Sequence, residues 1–376
     1  MKIAILSHNL VQFRGGSKVA LMLGRELNLR GHKIAYVCIY ENIKDLNKKF
    51  GTPHNYKVYS SEKPFLGNRL VNISIIWNML KPFKKMFHEF KPDIAIEIGG
   101  IMTGLFPAVF MKVPTIYYCH CPTSKLAEIN LYPTTKIERT YLRSLAILEK
   151  YLIKKVDKVL SQSLKTKIYL KDDWDIESDY AFPPVDTKVF TQSNKKKDII
   201  LSLCKYEPLY KLEELIKIFK KLNTRYELHF VAQTDEPNQY LNKLIESTKN
   251  DKSVVFHKNL PVSKLKKLYQ RSKIFWHSTW AFYGLTIAEA QSCGVPAISF
   301  GREHGPGEII IDGKTGYLVG NFDEIYMKTN KLLNDKKLWN KMSKAARKNA
   351  ADRLGIKPFI NTSLNAINEV IGKRKE

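Results

Sequence analysis

Two patterns of apolar and polar positions alternate along this chain. Short runs rich in Ile, Val and Tyr are separated by longer stretches in which apolar residues recur at helical spacing. Residues 2–7 read as a strand, and a glycine-containing turn leads to a helix with Val19, Met22, Leu23 and Leu27 on one face. Gly31 ends that helix and 33–40 form the next strand, which makes a βαβ unit at the start. Residues 93–98, 114–120 and 157–162 are further strand candidates. Strands alternating with helices predict a parallel sheet covered on both faces.

The run Phe182-Pro183-Pro184-Val185-Asp186 breaks this rhythm, and the polar stretch 192–197 follows, so the region reads as a linker. A second series then begins, with strands at 198–204, 226–232, 254–257, 274–277 and 296–300 and helices at 212–222 and 262–271. The pattern predicts an α/β protein with two Rossmann-like parallel-sheet domains, 1–190 and 191–355. A ligand site is expected in the cleft that two such sheets would face. A final helix at 356–371 follows Gly355; with the tail to 376 it is a candidate to pack back on the first domain.

Length agrees with this division, since 376 residues exceed the usual size of one core. No uninterrupted apolar stretch approaches the ~18 residues of a membrane-spanning helix. The opening Met-Lys-Ile-Ala-Ile-Leu-Ser-His is a strand and too short for a signal peptide, so a cytoplasmic protein is expected. Cys38, Cys119, Cys121, Cys204 and Cys293 follow no disulfide or zinc spacing. Cys119 and Cys121 flank His120, but a single His beside two strand thiols favours reduced, buried cysteines, and no metal is expected.

Charge widens the choice of partner. The net charge of +26 is spread evenly, with 32 basic against 18 acidic residues in 1–200 and 30 against 18 in the rest. Nucleic acid, an anionic membrane surface and phosphate-bearing small molecules would each suit it. Two stretches interleave lysines with apolar residues, 69–91 and 135–158; each reads as a helix lying on an anionic membrane or as one packed on its own sheet. Pro82 is expected to interrupt the first.

The densest chemistry lies in Trp280-Ala281-Phe282-Tyr283-Gly284-Leu285-Thr286-Ile287-Ala288-Glu289-Ala290, which continues to Gly294-Val295-Pro296. A strand ending at His277 enters a loop, Gly284 turns it, and a helix runs from near Leu285 to Gly294. The unpaired N–H groups of its first turn suit a phosphate. Glu289, about one turn in, suits a ribose diol. A glycine-rich loop from Gly301 to Glu308 gives a second approach, and Asp312-Gly313-Lys314-Thr315-Gly316-Tyr317-Leu318-Val319 follows.

This order of motifs resembles the nucleotide-sugar signature of the family 4 glycosyltransferases of the GT-B fold. The resemblance extends to Lys205 and Lys211, in the place of the family's diphosphate-holding Arg and Lys, and to the glycine pair Gly15-Gly16 beside Arg14. Tyr117-Tyr118-Cys119-His120-Cys121-Pro122 and Pro183-Pro184-Val185-Asp186 are similar in style to dolichol-pathway and archaeal mannosyltransferases. There are two departures. Ala281 stands eight before Glu289, where the family has a glutamate touching the donor sugar, and Lys205 replaces the Arg, losing its bidentate fork.

The resemblance implies metal-independent, retaining transfer of a hexose, mannose or glucose favoured, from a nucleoside-diphosphate sugar, with no cofactor. Lys205, Lys211 and the helix start at Gly284 and Leu285 would hold the diphosphate, and Glu289 the ribose. Glu308 would lie on the donor side, His120 near the transferred sugar, and Gly15, Gly16 and Arg14 toward the acceptor or diphosphate. The acceptor is expected to be a glycan or lipid-linked glycan, met at the cytoplasmic face of an anionic membrane. A dehydrogenase is excluded because neither domain has Gly-x-Gly-x-x-Gly after a strand; Gly15-Gly16-Ser17-Lys18 has the wrong order for a Walker loop. A basic nucleic-acid-binding protein remains as an alternative, although no recognised motif supports it, as does a transferase fold that binds without turnover.

Overall fold

A computed structural model describes residues 1–7, 9–10, 15–38, 40–41, 56–61, 71–98, 109, 111–128, 136–193, 196–232, 238–279 and 283–373. The chain forms two compact units, Met1–Pro183 with Lys357–Glu376, and Pro184–Ile356.

The strands of the first unit are β1 (Lys2–Leu6), β2 (Asn9–Leu10), β3 (Lys33–Cys38), β4 (Tyr40–Glu41), β5 (Lys57–Ser60), β6 (Ile94–Ile98), β7 (Thr115–Cys119), β8 (Lys158–Ser161) and β9 (Asp179–Tyr180). Seven of them build one parallel sheet in the order β5-β3-β1-β6-β7-β8-β9, and β2 pairs with β4 apart from it. All five residues of β6 and of β7 are buried, the mark of a sheet with helices on both faces. The second unit holds β10 (Ile199–Leu203), β11 (Glu227–Ala232), β12 (Val254–Lys258), β13 (Ile274–His277), β14 (Ala297–Ser299) and β15 (Gly316–Leu318). They too are parallel throughout, in the order β12-β11-β10-β13-β14-β15.

Three places depart from the sequence expectations. Pro82 does not interrupt its helix, which runs unbroken from Val71 to Phe90. Met79, Phe83, Met86 and Phe90 are buried on the sheet beside Ala4, Leu6, Val37 and Ala95. Burial of ~1.5–3 kcal/mol for each such side chain outweighs the ~3 kcal/mol of an internal proline. The described part of this helix is therefore packed on its own sheet.

The expected linker is also packed. Val185 N–H donates to Leu354 C=O at 2.8 Å, and Phe190 C=O accepts from Ser292 Oγ at 2.6 Å and from Arg347 at 3.0 Å. These bonds bind 184–190 to the second unit, so that unit begins seven residues earlier than the sequence division. The third departure is the short β2–β4 pair, which no period-2 pattern announces. The closing helix, Ile356–Gly372, belongs almost wholly to the first unit. Lys158 holds Glu369 at 2.7 Å and Asp179 at 2.9 Å, and Phe359 meets Tyr118 edge-on at 6.0 Å.

Candidate active site

In a parallel sheet every carboxyl strand end points to one edge, so loops after neighbouring strands gather there. In the first unit this edge brings together the helix Gly15–Asn28, which comes after β1 and the short β2, and His120, which follows β7. A methyl carbon built on Gly16 would stand 3.3 Å from His120 Nε2. Glycine at 16 thus lets the imidazole approach the backbone of the helix start.

His120 is held in one orientation. Its Nδ1 lies 2.9 Å from Gln162 Oε1, while the Gln162 amide nitrogen donates to the His120 carbonyl. Thr166 Oγ1 donates to the same carbonyl at 3.0 Å. The oxygen facing Nδ1 can only accept, so Nδ1 carries the proton and Nε2 keeps its lone pair. Nε2 is buried and finds no hydrogen-bond partner among the described residues. Burial lowers the His120 pKa below its ordinary 6.5, against a smaller opposing pull from Gln162. The group is a neutral acceptor aimed at Gly16. Cys119 packs in the apolar cluster under the sheet and burial pushes its thiol pKa up, as it does for Cys121, the bland role expected of both.

In the second unit β10 and β13 are neighbours, and the loops after them carry the remaining candidates. Lys205 is half exposed, with Glu207 at 3.7 Å. Lys211 sits in the left-handed region at φ 45° between the short turn Pro208–Tyr210 and the helix Leu212–Lys221. Ser278 Oγ, just past β13, donates to Tyr210 C=O at 2.7 Å, so the Lys211 turn is clasped to the loop that leads to Gly284. Gly284, at φ 102°, caps the helix Leu285–Ser292, a conformation that side chains rarely adopt.

Glu289 is 1% exposed, and its Oε2 accepts from the buried Tyr269 hydroxyl at 3.0 Å. Glu308 is half-buried in the first turn of the helix Gly305–Ile309, where its charge adds to burial in raising the Tyr283 pKa. Asp312 fixes the turn after it, accepting from Leu318 N–H at 2.9 Å and from Arg302 at 2.8 Å. Arg14 and Ala281 lie outside the described residues.

The sequence reading missed Gln162, Thr166, Tyr269 and Ser278. Gln162 and Thr166 touch His120, Tyr269 touches Glu289 and Ser278 touches the neighbour of Lys211, and no local spacing marks them. Lys18, 8% exposed in the first turn after Gly16, is marked in the sequence only by its wrong Walker order.

Residues 13–188 match the family model Glycosyltransferase Family 4, and residues 186–349 match Glycosyl transferases group 1. The chain is a family 4 glycosyltransferase of the GT-B fold. The transferase is 28% identical over 291 residues to the protein named "Probable sucrose-phosphate synthase" of Thermosipho melanesiensis, spanning 69% of this chain and 68% of that one. Two further curated relatives are matched over 52% and 46% of their own lengths. Its fold is that of the sucrose-phosphate synthase of Thermosynechococcus elongatus, with TM-score 0.81, 13% identity and 99% and 100% of the two chains covered. It is also that of Anabaena HepE, solved with UDP and glucose, with TM-score 0.74, 14% identity and 98% and 99% covered.

Proposed function

We propose that the transferase moves a hexose, with retention at the anomeric carbon, from a nucleoside-diphosphate sugar to a glycan or lipid-linked glycan. The Tyr210–Ser278 hydrogen bond carries this reading, because it keeps the Lys211 turn beside the loop that opens the Gly284 helix. The hard step is departure of the diphosphate. Lys205, Lys211 and the N–H groups at Leu285 would meet the charge that develops, each group worth about 3 kcal/mol in the transition state. In this reading those groups supply the positive charge and no metal ion is needed.

Glu289, steadied by Tyr269, would take the ribose hydroxyls, and Glu308 would lie on the donor side. His120 Nε2, a fixed acceptor, suits a hydroxyl of the transferred sugar. Gly15, Gly16 and Arg14 would serve the acceptor or the diphosphate. A uridine nucleotide carrying glucose is the first donor to test, on the ligands solved with HepE, and mannose is the second hexose. The acceptor would be met by peripheral association with the cytoplasmic face of an anionic membrane.

The test is a thermal-shift panel of UDP, GDP and ADP sugars against single-stranded DNA. One nucleotide should stabilise the protein, and the shift should vanish in Lys211→Ala and Glu289→Ala. Indifference to every nucleotide with tight DNA binding would overturn the reading. Ala281, standing where the family has its sugar-side glutamate, favours a second reading in which the donor binds without turnover. Release of free nucleotide diphosphate in the presence of acceptor separates the two.

A further inference from the structure

The helix Lys136–Ile153 buries Leu145, Ala146, Leu152 and Ile153 in the apolar cluster under the first sheet, with Glu149 wholly buried in the same helix. Its outer face carries Arg139, Thr140, Arg143, Ser144, Ile147 and Tyr151, all exposed, and runs on to Lys154 and Lys155. Ile147 is 73% exposed and Tyr151, one turn on, 57%. Steps of three and four residues set Arg143, Ile147 and Tyr151 in one row, with Lys154 continuing it past the helix end. Lys155 Nζ covers the Tyr151 ring at 4.2 Å.

Among the described side chains, this outer face carries no carboxylate. Of the acids on and just past the adjoining helix, Asp173 is engaged with Lys125 at 3.0 Å and Asp175 with Lys171 at 2.7 Å, while Asp172 is exposed at its far end. The adjoining helix Leu164–Trp174 shares the same apolar cluster and adds Leu164 and Ile168, again one turn apart and about half exposed. A polyanion in water would engage the cations and leave these apolar side chains unused. A bilayer uses both, since aliphatic side chains enter the headgroup region, tyrosine sits at its level, and lysine and arginine meet lipid phosphates.

We propose that the outer face of the helix Lys136–Ile153 docks on an anionic lipid bilayer. This deepens the reading above by naming the surface that would meet a membrane-borne acceptor. Vesicle flotation without any sugar nucleotide tests it, comparing phosphatidylcholine alone with an equal mixture of phosphatidylcholine and phosphatidylglycerol. The full chain should float with the mixed vesicles, less so at raised salt, and should stay behind with phosphatidylcholine alone.

Arg143→Gln with Lys154→Gln should weaken binding about fivefold for each cation removed, and Ile147→Ser with Tyr151→Ser should weaken it at unchanged charge. Leu29→Ser, a 71% exposed apolar site elsewhere, should float like the unaltered protein, and unchanged melting should accompany every variant. Equal binding to both vesicle types, no flotation, or flotation unaffected by the Ile147/Tyr151 pair would overturn the proposal. So would binding of single-stranded DNA that the charge variant loses and the apolar variant keeps. Nucleotide-induced thermal shifts of the same proteins are read separately, so failure of donor binding and failure of docking are distinguishable.

Discussion

Gln162 holds His120 at two points, with its oxygen 2.9 Å from the ring Nδ1 and its amide nitrogen on the main-chain carbonyl. This pair fixes both the tautomer and the aim of the imidazole. Nitrogen NMR of labelled histidine should therefore show His120 with a protonated Nδ1 and a bare Nε2 at neutral pH; the reverse would exclude the acceptor role. Gln162→Glu sets a carboxylate against Nδ1 and should raise the His120 pKa from its lowered position. The acidic limb of turnover should then move to higher pH, because the lone pair on Nε2 is lost sooner.

Lys211 combines a charge with backbone strain. At φ 45° a side chain costs about 1 kcal/mol that glycine does not. Lys211→Gly should melt higher than Lys211→Ala, while both lose the nucleotide-induced shift to the same extent. If the glycine variant kept the shift, the ammonium would have no part in holding the donor.

Most of the site's frame is visible in the sequence because it is local. The run Ile94–Ile98 has to be a doubly covered strand, and Gly284 followed by Leu285, Ile287, Ala288 and Ala290 opens a helix. What the sequence hides is contact between distant positions. Gln162 lies 42 residues from His120 and Tyr269 lies 20 from Glu289, and neither spacing has a period that a pattern could register. Pro82 misleads for a related reason. A local rule gives its cost, and the sheet that offsets the cost is assembled from residues before and after it.

His277 makes the second unit acid-sensitive. It is wholly buried, and desolvation pushes its pKa from 6.5 down to about 4, against an opposing backbone hydrogen bond at Thr279. The unfolded chain therefore binds more protons between those values, so stability is lost as pH falls from about 6.5 toward 4, by up to about 3 kcal/mol. Urea unfolding across that range should show a falling midpoint. His277→Asn loses the Ser299 bond and starts lower at neutral pH, but its midpoint should fall less steeply.

The Tyr269–Glu289 pair yields a prediction in which stability and binding must change together. Tyr269 is fully buried between Phe190, 5.7 Å away edge-on, and Phe275 at 5.9 Å, so Tyr269→Phe keeps the ring packing and deletes only the hydroxyl. The buried Glu289 carboxylate then loses a donor, which costs about 1–3 kcal/mol when nothing replaces it. Thermal unfolding should register that loss in the absence of ligand. If Glu289 also takes the ribose, its carboxylate is no longer aimed, and nucleotide affinity should drop beyond the stability effect. KM for the donor should rise with kcat nearly unchanged, because the ribose is held alike in ground and transition states. A variant that melts lower yet binds nucleotide as tightly as the unaltered protein would make the pair purely structural and remove Glu289 from the donor site.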